Sequence, residues 1–144
     1  MQQWRIELMG ILDGLMGKKE APARAGLPFN VSTALRPVRL NARKDNCLEL
    51  LVTVANASDS PMMLSVNLEM PKSLGFENLG ITKIKEIRIG ELPAQKSKTV
   101  SFSVCANSLT PAGTYSALLT VSQHYRDYLH VQNYAKKSVE VRVV

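Results

Sequence analysis

Cysteine and histidine are scarce in this sequence, with two of each in 144 residues. Two cysteines cannot make a disulfide framework or a cysteine-based zinc site. His124 and His130 lack H-x-x-x-H spacing and no C-x-x-C accompanies them, so they read as solvated or stacking side chains, with no metal and no cofactor. No G-x-S-x-G marks a nucleophile, and no glycine loop is placed to cradle phosphate. The expectation is a protein that is not an enzyme and takes no small-molecule substrate. No apolar run approaches the roughly 18–20 residues of a spanning helix. Blocks of five or six like charges are missing as well, which disfavours a nucleic-acid tail.

What is present is enough apolar material for a core: 45% of residues are hydrophobic and 21% charged. The net charge of +6 is uneven. Residues 1–44 carry eight Lys/Arg against three Asp/Glu, whereas residues 45–144 carry ten against nine. The basic character therefore belongs to the leading segment.

That segment divides into an amphipathic leader helix, 1–19, and a linker, 20–28. Trp4, Leu8, Ile11, Leu12 and Leu15 fall on one face of a 3.6-residue period, and Met9 and Met16 widen the stripe. A helix this short is marginal in water and forms when its apolar face is covered. Three surfaces can cover it: its own domain or a sister subunit, a groove on another protein, or a lipid interface. Glu7 and Asp13 interrupt what would be the core of a secretory signal. The expected location is cytoplasmic, with peripheral attachment at the inner face of the membrane as the variant reading. Residues 9–19, MGILDGLMGKK, resemble short N-terminal membrane-targeting peptides of some prokaryotic peripheral proteins.

From Phe29 onward the period changes to 2. Alternation of apolar and polar residues predicts strands at 47–55, 64–70, 99–105, 115–123 and 138–143, with further strands at 29–33, 36–41 and 84–89. The segments 56–61, 90–96 and 110–113 carry turn chemistry. The reading is all-β: an antiparallel sandwich of seven or eight strands over 29–144.

The stretches LELLVTVANASDSPMMLSVNLEMPKSLGFE, IRIGELPAQKSKTVSFSV, TPAGTYSALLTV and KSVEVRVV resemble immunoglobulin-like modules of the CARDB and NPCBM-associated type. Those modules share a strand ending in V-x-N, a P-x-x-L-x-F stretch, I-G-x-L before a polar turn, and a T-P-x-G-x-Y entry to the penultimate strand. The resemblance covers about residues 45–144 and implies an immunoglobulin-like fold with a non-catalytic scaffold or interaction role. It makes Tyr115 a corner tyrosine with a structural task. In such a sheet the strands of Cys47 and Cys105 are antiparallel neighbours, and alternation turns both thiols to the outer face. The pair is then either adjacent, and reduced if the compartment is cytosolic, or two unrelated half-exposed cysteines.

Residues 123–137, QHYRDYLHVQNYAKK, hold three of the four tyrosines and both histidines. They read as a long loop or extended hairpin between the last two strands. Tyrosine and arginine concentrate binding energy by burying large areas while keeping polar handles. Tyr125, Arg126, Tyr128 and Tyr134 are therefore candidate partner-binding residues, beside the leader anchors. The alternative is that the tyrosines pack the hairpin onto the sandwich rim. The partner expected is another protein or a second copy. A membrane surface is the alternative for the leader, and single-stranded nucleic acid for the aromatic loop.

Overall fold

The computed structural model describes residues 27–144. The leader helix and most of the linker, with Trp4, Leu8, Ile11, Leu12 and Leu15, lie outside the described residues. Those described form eight strands and no helix: β1 Phe29–Arg36, β2 Arg39–Leu40, β3 Asn46–Asn56, β4 Met62–Glu69, β5 Ile84–Leu92, β6 Ser97–Ala106, β7 Gly113–His124 and β8 Val131–Val143.

The strands make two sheets, β1-β3-β6 and β2-β8-β7-β4-β5. All pairings are antiparallel except β2 with β8. The chain changes sheet between β1 and β2, where Pro37, which has no amide to give a ladder, sits in the break. The register fixes two ends. Leu27, the 57–61 and 93–96 turns and the β7–β8 tip share the near end. The 41–45, 70–83 and 107–112 loops and Val144 share the far end.

Alternation is the cause of the core. Leu50, Val52 and Val54 of β3, Leu64, Val66 and Leu68 of β4, Phe102 and Val104 of β6, Leu119 and Val121 of β7 and Val141 of β8 are all fully buried between the sheets. Their intervening neighbours, among them Glu49, Ser101, Ser103 and Glu140, face water. The weaker strands expected at 29–33, 36–41 and 84–89 appear as β1, β2 and β5, with altered bounds.

The expected turn at 90–96 is shorter. Gly90 stays within β5 with φ +83°, beside a register shift at Leu64/Ser65, so it serves a bulge and the turn begins after Leu92. Two expected turns close on side chains. The Asn56 amide, itself buried, donates to the carbonyls of Ser60 (2.9 Å), Leu92 (3.0 Å) and Pro93 (3.2 Å), while its oxygen accepts from Ser58. The Tyr115 hydroxyl donates to the Pro111 carbonyl at 2.7 Å.

At the far end Cys47 and Cys105 oppose each other in the β3–β6 register and form a disulfide, with Cα atoms 4.0 Å apart. Cys105 directs its backbone N–H and C=O away from β3, to Gly75. The cysteines therefore occupy a pair without mutual backbone hydrogen bonds, the kind in which opposed Cα atoms approach most closely. Cys47 is exposed, as alternation requires, but Cys105 is buried beneath the 71–83 loop. That loop is tight: a Cβ on Gly75 would stand 2.7 Å from the Gly80 Cα. Glu77 Oε1 accepts from the amides of Ile81 (2.6 Å) and Thr82 (3.1 Å).

Candidate interaction surface

Residues 123–137 form an extended hairpin, since β7 runs to His124 and β8 starts at Val131. The six-residue tip is closed by the Tyr125 amide on the His130 carbonyl at 2.8 Å. Asp127 organises it: its Oδ1 accepts from the Leu129 amide at 2.9 Å and lies 2.7 Å from His130 Nδ1. The His130 contact first, then the Leu129 amide, holds the Asp127 carboxyl below its ordinary pKa. Arg126 adopts φ +72° at the apex.

The candidate tyrosines divide into two kinds. Tyr125 and Tyr134 are each 55% exposed, and each has a cation near its ring: the Arg126 guanidinium is 5.2 Å from the Tyr125 centroid, and Lys136 Nζ is 5.8 Å from that of Tyr134. Tyr128 instead turns inward. Its ring meets the His124 imidazole edge-on at 4.9 Å, and the Arg88 guanidinium lies 4.5 Å from its centroid. Tyr128 thus packs against the rim, while Tyr125 and Tyr134 face outward. Two aliphatic side chains join the surface, Leu129 at 87% exposure and Val131 at 53%.

Register explains why these groups meet. Tyr134 pairs with Ser122, Ser122 with Ser65, and Ser65 with Arg88, making one row across four strands on the outer face of the larger sheet. The next row toward the far end is Lys136, Thr120, Asn67 and Glu86. Three hydroxyl-bearing residues and the Asn67 amide therefore floor the middle of the face, between a tyrosine–lysine side on β8 and an arginine–glutamate side on β5.

His124 lies at the near end of this face, only 7% exposed. Its Nε2 is 2.7 Å from Ser65 Oγ, and its buried Nδ1 has no hydrogen-bond partner. Burial lowers its pKa below 6.5 and Arg88 adds repulsion, with Glu86, Asp127 and the His130 backbone carbonyl opposing the shift. A serine hydroxyl on an imidazole is also how a nucleophile and its base are paired. Here Ser65 is 4% exposed, so the contact is part of the packing of this face.

Sequence reasoning singled out Tyr125, Arg126, Tyr128 and Tyr134, which the hairpin gathers at one end of the molecule. It did not find Ser65 or Arg88, because their places depend on β4 lying between β7 and β5, and alternation along a strand carries no information on strand order. Among the described residues no group of three or more His, Cys, Asp or Glu could hold a metal ion, and no helix is long and apolar enough to cross a membrane. No family model and no curated protein matches the chain.

Proposed function

We propose that the chain is a non-catalytic interaction module of immunoglobulin-like type, whose near end is its contact surface for another protein or a second copy. The observation that carries this reading is the pair of half-exposed tyrosines, Tyr125 and Tyr134, each beside a cation and on the same hairpin as the exposed Leu129. Large rings with polar ends, already positioned by a closed turn, bury much area at small entropic cost. β1 starts at that same end of the sandwich. A leader helix folding on contact supplies a second set of anchors, worth about 5–8 kcal/mol of gross burial from three or four large side chains, offset in part by ordering.

The immunoglobulin-like type is supported by the sheet orders, by the change of sheet between β1 and β2 and by the Tyr115–Pro111 hydrogen bond. The resemblance to CARDB and NPCBM-associated modules is consistent with these features. The disulfide bears on location: cytoplasmic surroundings would keep Cys47 and Cys105 reduced, and the bonded pair favours an oxidising one.

The test compares the full chain with a variant lacking residues 1–19 and with Tyr125→Ala/Tyr134→Ala, in sedimentation for self-association and in capture of protein partners. Loss of association in both variants, with unchanged melting, supports the reading; association unchanged in both overturns it. Liposome flotation lost only on deletion of 1–19 would assign the leader to lipid. Tyrosine–cation pairs on an open sheet face also suit stacked bases. That second reading requires oligonucleotide binding that weakens steeply with salt.

A further inference from the structure

The two sheets have four edges, and three of them carry a device that turns away an incoming strand. On β1, Lys137 reaches across from β8 to Thr33 Oγ1. β8 is covered by β2 along its last rungs and bears Lys136 and Lys137 before them. β5 is bulged opposite Leu64 and Ser65 and carries Lys85, Glu86, Arg88 and Glu91. β6 differs. Its register with β3 runs without a shift, and residues 99–103, TVSFS, contain no charge, proline or glycine. Lys98 bounds this stretch on the near side and the 71–83 loop on the far side.

The direction of its backbone groups follows from one contact. Cys105 sends its N–H and C=O away from β3, to Gly75. Backbone direction alternates along a strand, so Ser103, Ser101 and Thr99 send theirs the same way, over the open edge. Among the described residues, no backbone group bonds to these three from that side. All three are exposed, and Val100, of inward parity, is only half-buried, as befits an uncovered margin. Their side chains place hydroxyls on the outer face of the smaller sheet. There Thr99 Oγ1 already shares a hydrogen bond with Thr53 Oγ1 across the β3–β6 pair, at 2.8 Å.

We propose that residues 99–103 are a docking edge for the same strand of a second copy, paired antiparallel about a twofold axis at Ser101. Ser101 then faces its own counterpart and Thr99 faces Ser103, so hydroxyl opposes hydroxyl and no charge meets its like. Each of these pairs is of the kind that exchanges both backbone hydrogen bonds, which satisfies groups otherwise left to water. Length favours a second copy over an unrelated strand. Gly75 occupies the edge at Cys105, and the incoming strand reaches that point at its Ser97, where β6 itself begins and the chain enters from β5. The two smaller sheets join into one continuous sheet. So short a pairing buries less than the roughly 1,000 Å² of a stable interface, and the dimer is therefore weak and concentration-dependent. This edge belongs to the other sheet from the hairpin of Tyr125 and Tyr134, and the proposal does not rest on that contact surface.

The test is amide hydrogen exchange of the full chain by NMR at low and high concentration, with sedimentation beside it. In the monomer the Thr99, Ser101 and Ser103 amides should exchange fast, while those of Val100 and Phe102, bonded to β3, exchange slowly. As the dimer forms, the first three should slow. Ser101→Lys sets two lysines face to face at the axis, and Ser101→Pro removes a donor that β3 does not use. Both should lose the dimer, and Ser101→Thr should keep it. Ser101→Lys should leave melting unchanged, since the side chain is exposed and its amide lies outside the β3 ladder. A chain monomeric up to about 1 mM, a dimer whose three edge amides still exchange fast, or a dimer that survives Ser101→Lys overturns the docking edge. The two surfaces fail separately. Self-association lost in Ser101→Lys but kept in Tyr125→Ala/Tyr134→Ala supports the edge alone, and the reverse pattern overturns the edge and leaves the near-end reading standing.

Discussion

At the residue scale, two buried polar side chains show opposite ways of living in a β-sandwich. Asn56 spends both ends of its amide on the near-end turns, with three carbonyls on Nδ2 and the Ser58 amide and hydroxyl on Oδ1. Asn56→Ala strips partners from several groups at once and should cost about 2–3 kcal/mol, read as a fall in the urea midpoint at unchanged slope. His124 has one partner and a sealed nitrogen, so its effect is on pH. Unfolding releases it to its ordinary pKa of 6.5, whereas the folded value is lower. The unfolded chain therefore binds more protons below pH 6.5, and stability falls as pH drops from there toward the folded value. Urea midpoints at pH 7.5 and 5.5 should show the fall, and His124→Gln should flatten it. Asp127 acts lower: its contribution is present above pH 3.8 and is lost as pH falls through its depressed value.

At the scale of elements, the alternating residues of β3, β4, β6, β7 and β8 were legible because each strand has one buried face, so period 2 names both the strand and its inward side. Partnership was not legible, because it is decided between strands distant in sequence. Whether Cys47 and Cys105 meet was left open, because it depends on β3 and β6 being neighbours, which resemblance implies and alternation does not show. The covering of Cys105 depends on a loop whose tight turn is marked by nothing more than Gly75 and Gly80. The disulfide closes a 58-residue separation. By loop entropy that corresponds to about 4 kcal/mol, so Cys47→Ser/Cys105→Ser should lower stability by up to this amount while keeping the β-type circular dichroism spectrum. A related prediction concerns the β1/β8 edge. Lys137 falls on the inward parity of β8, and its Nζ is 3.3 Å from Thr33 Oγ1 on β1. An inward-pointing lysine at a sheet edge discourages pairing with another chain. Lys137→Val should therefore sediment at a higher apparent mass than the wild type at equal concentration.

At the scale of the whole molecule, the core is drawn from Phe29 to Val143. A fragment starting at Leu27 should accordingly melt within a few degrees of the full chain, measured by circular dichroism. The start of the first strand at Phe29 was legible because alternation at period 2 begins there. The candidate surface was half legible: tyrosine and arginine content pointed to the hairpin, but which ring faces out is set by His124 and Arg88 beneath it.

The two ends of the described chain leave the sandwich at opposite poles, Leu27 beside the start of β1 and Val144 beyond the end of β8. A pull on these termini runs along the strands. β1 would have to slide past all eight of its rungs with β3 together, and β2 would slide past β8, so the load is shared as shear instead of opening one bond at a time like a zipper. Tethered at one pole and tugged from the other, the sandwich should yield only at forces well above those that peel a strand from its edge, which stretching single molecules from the two ends would measure.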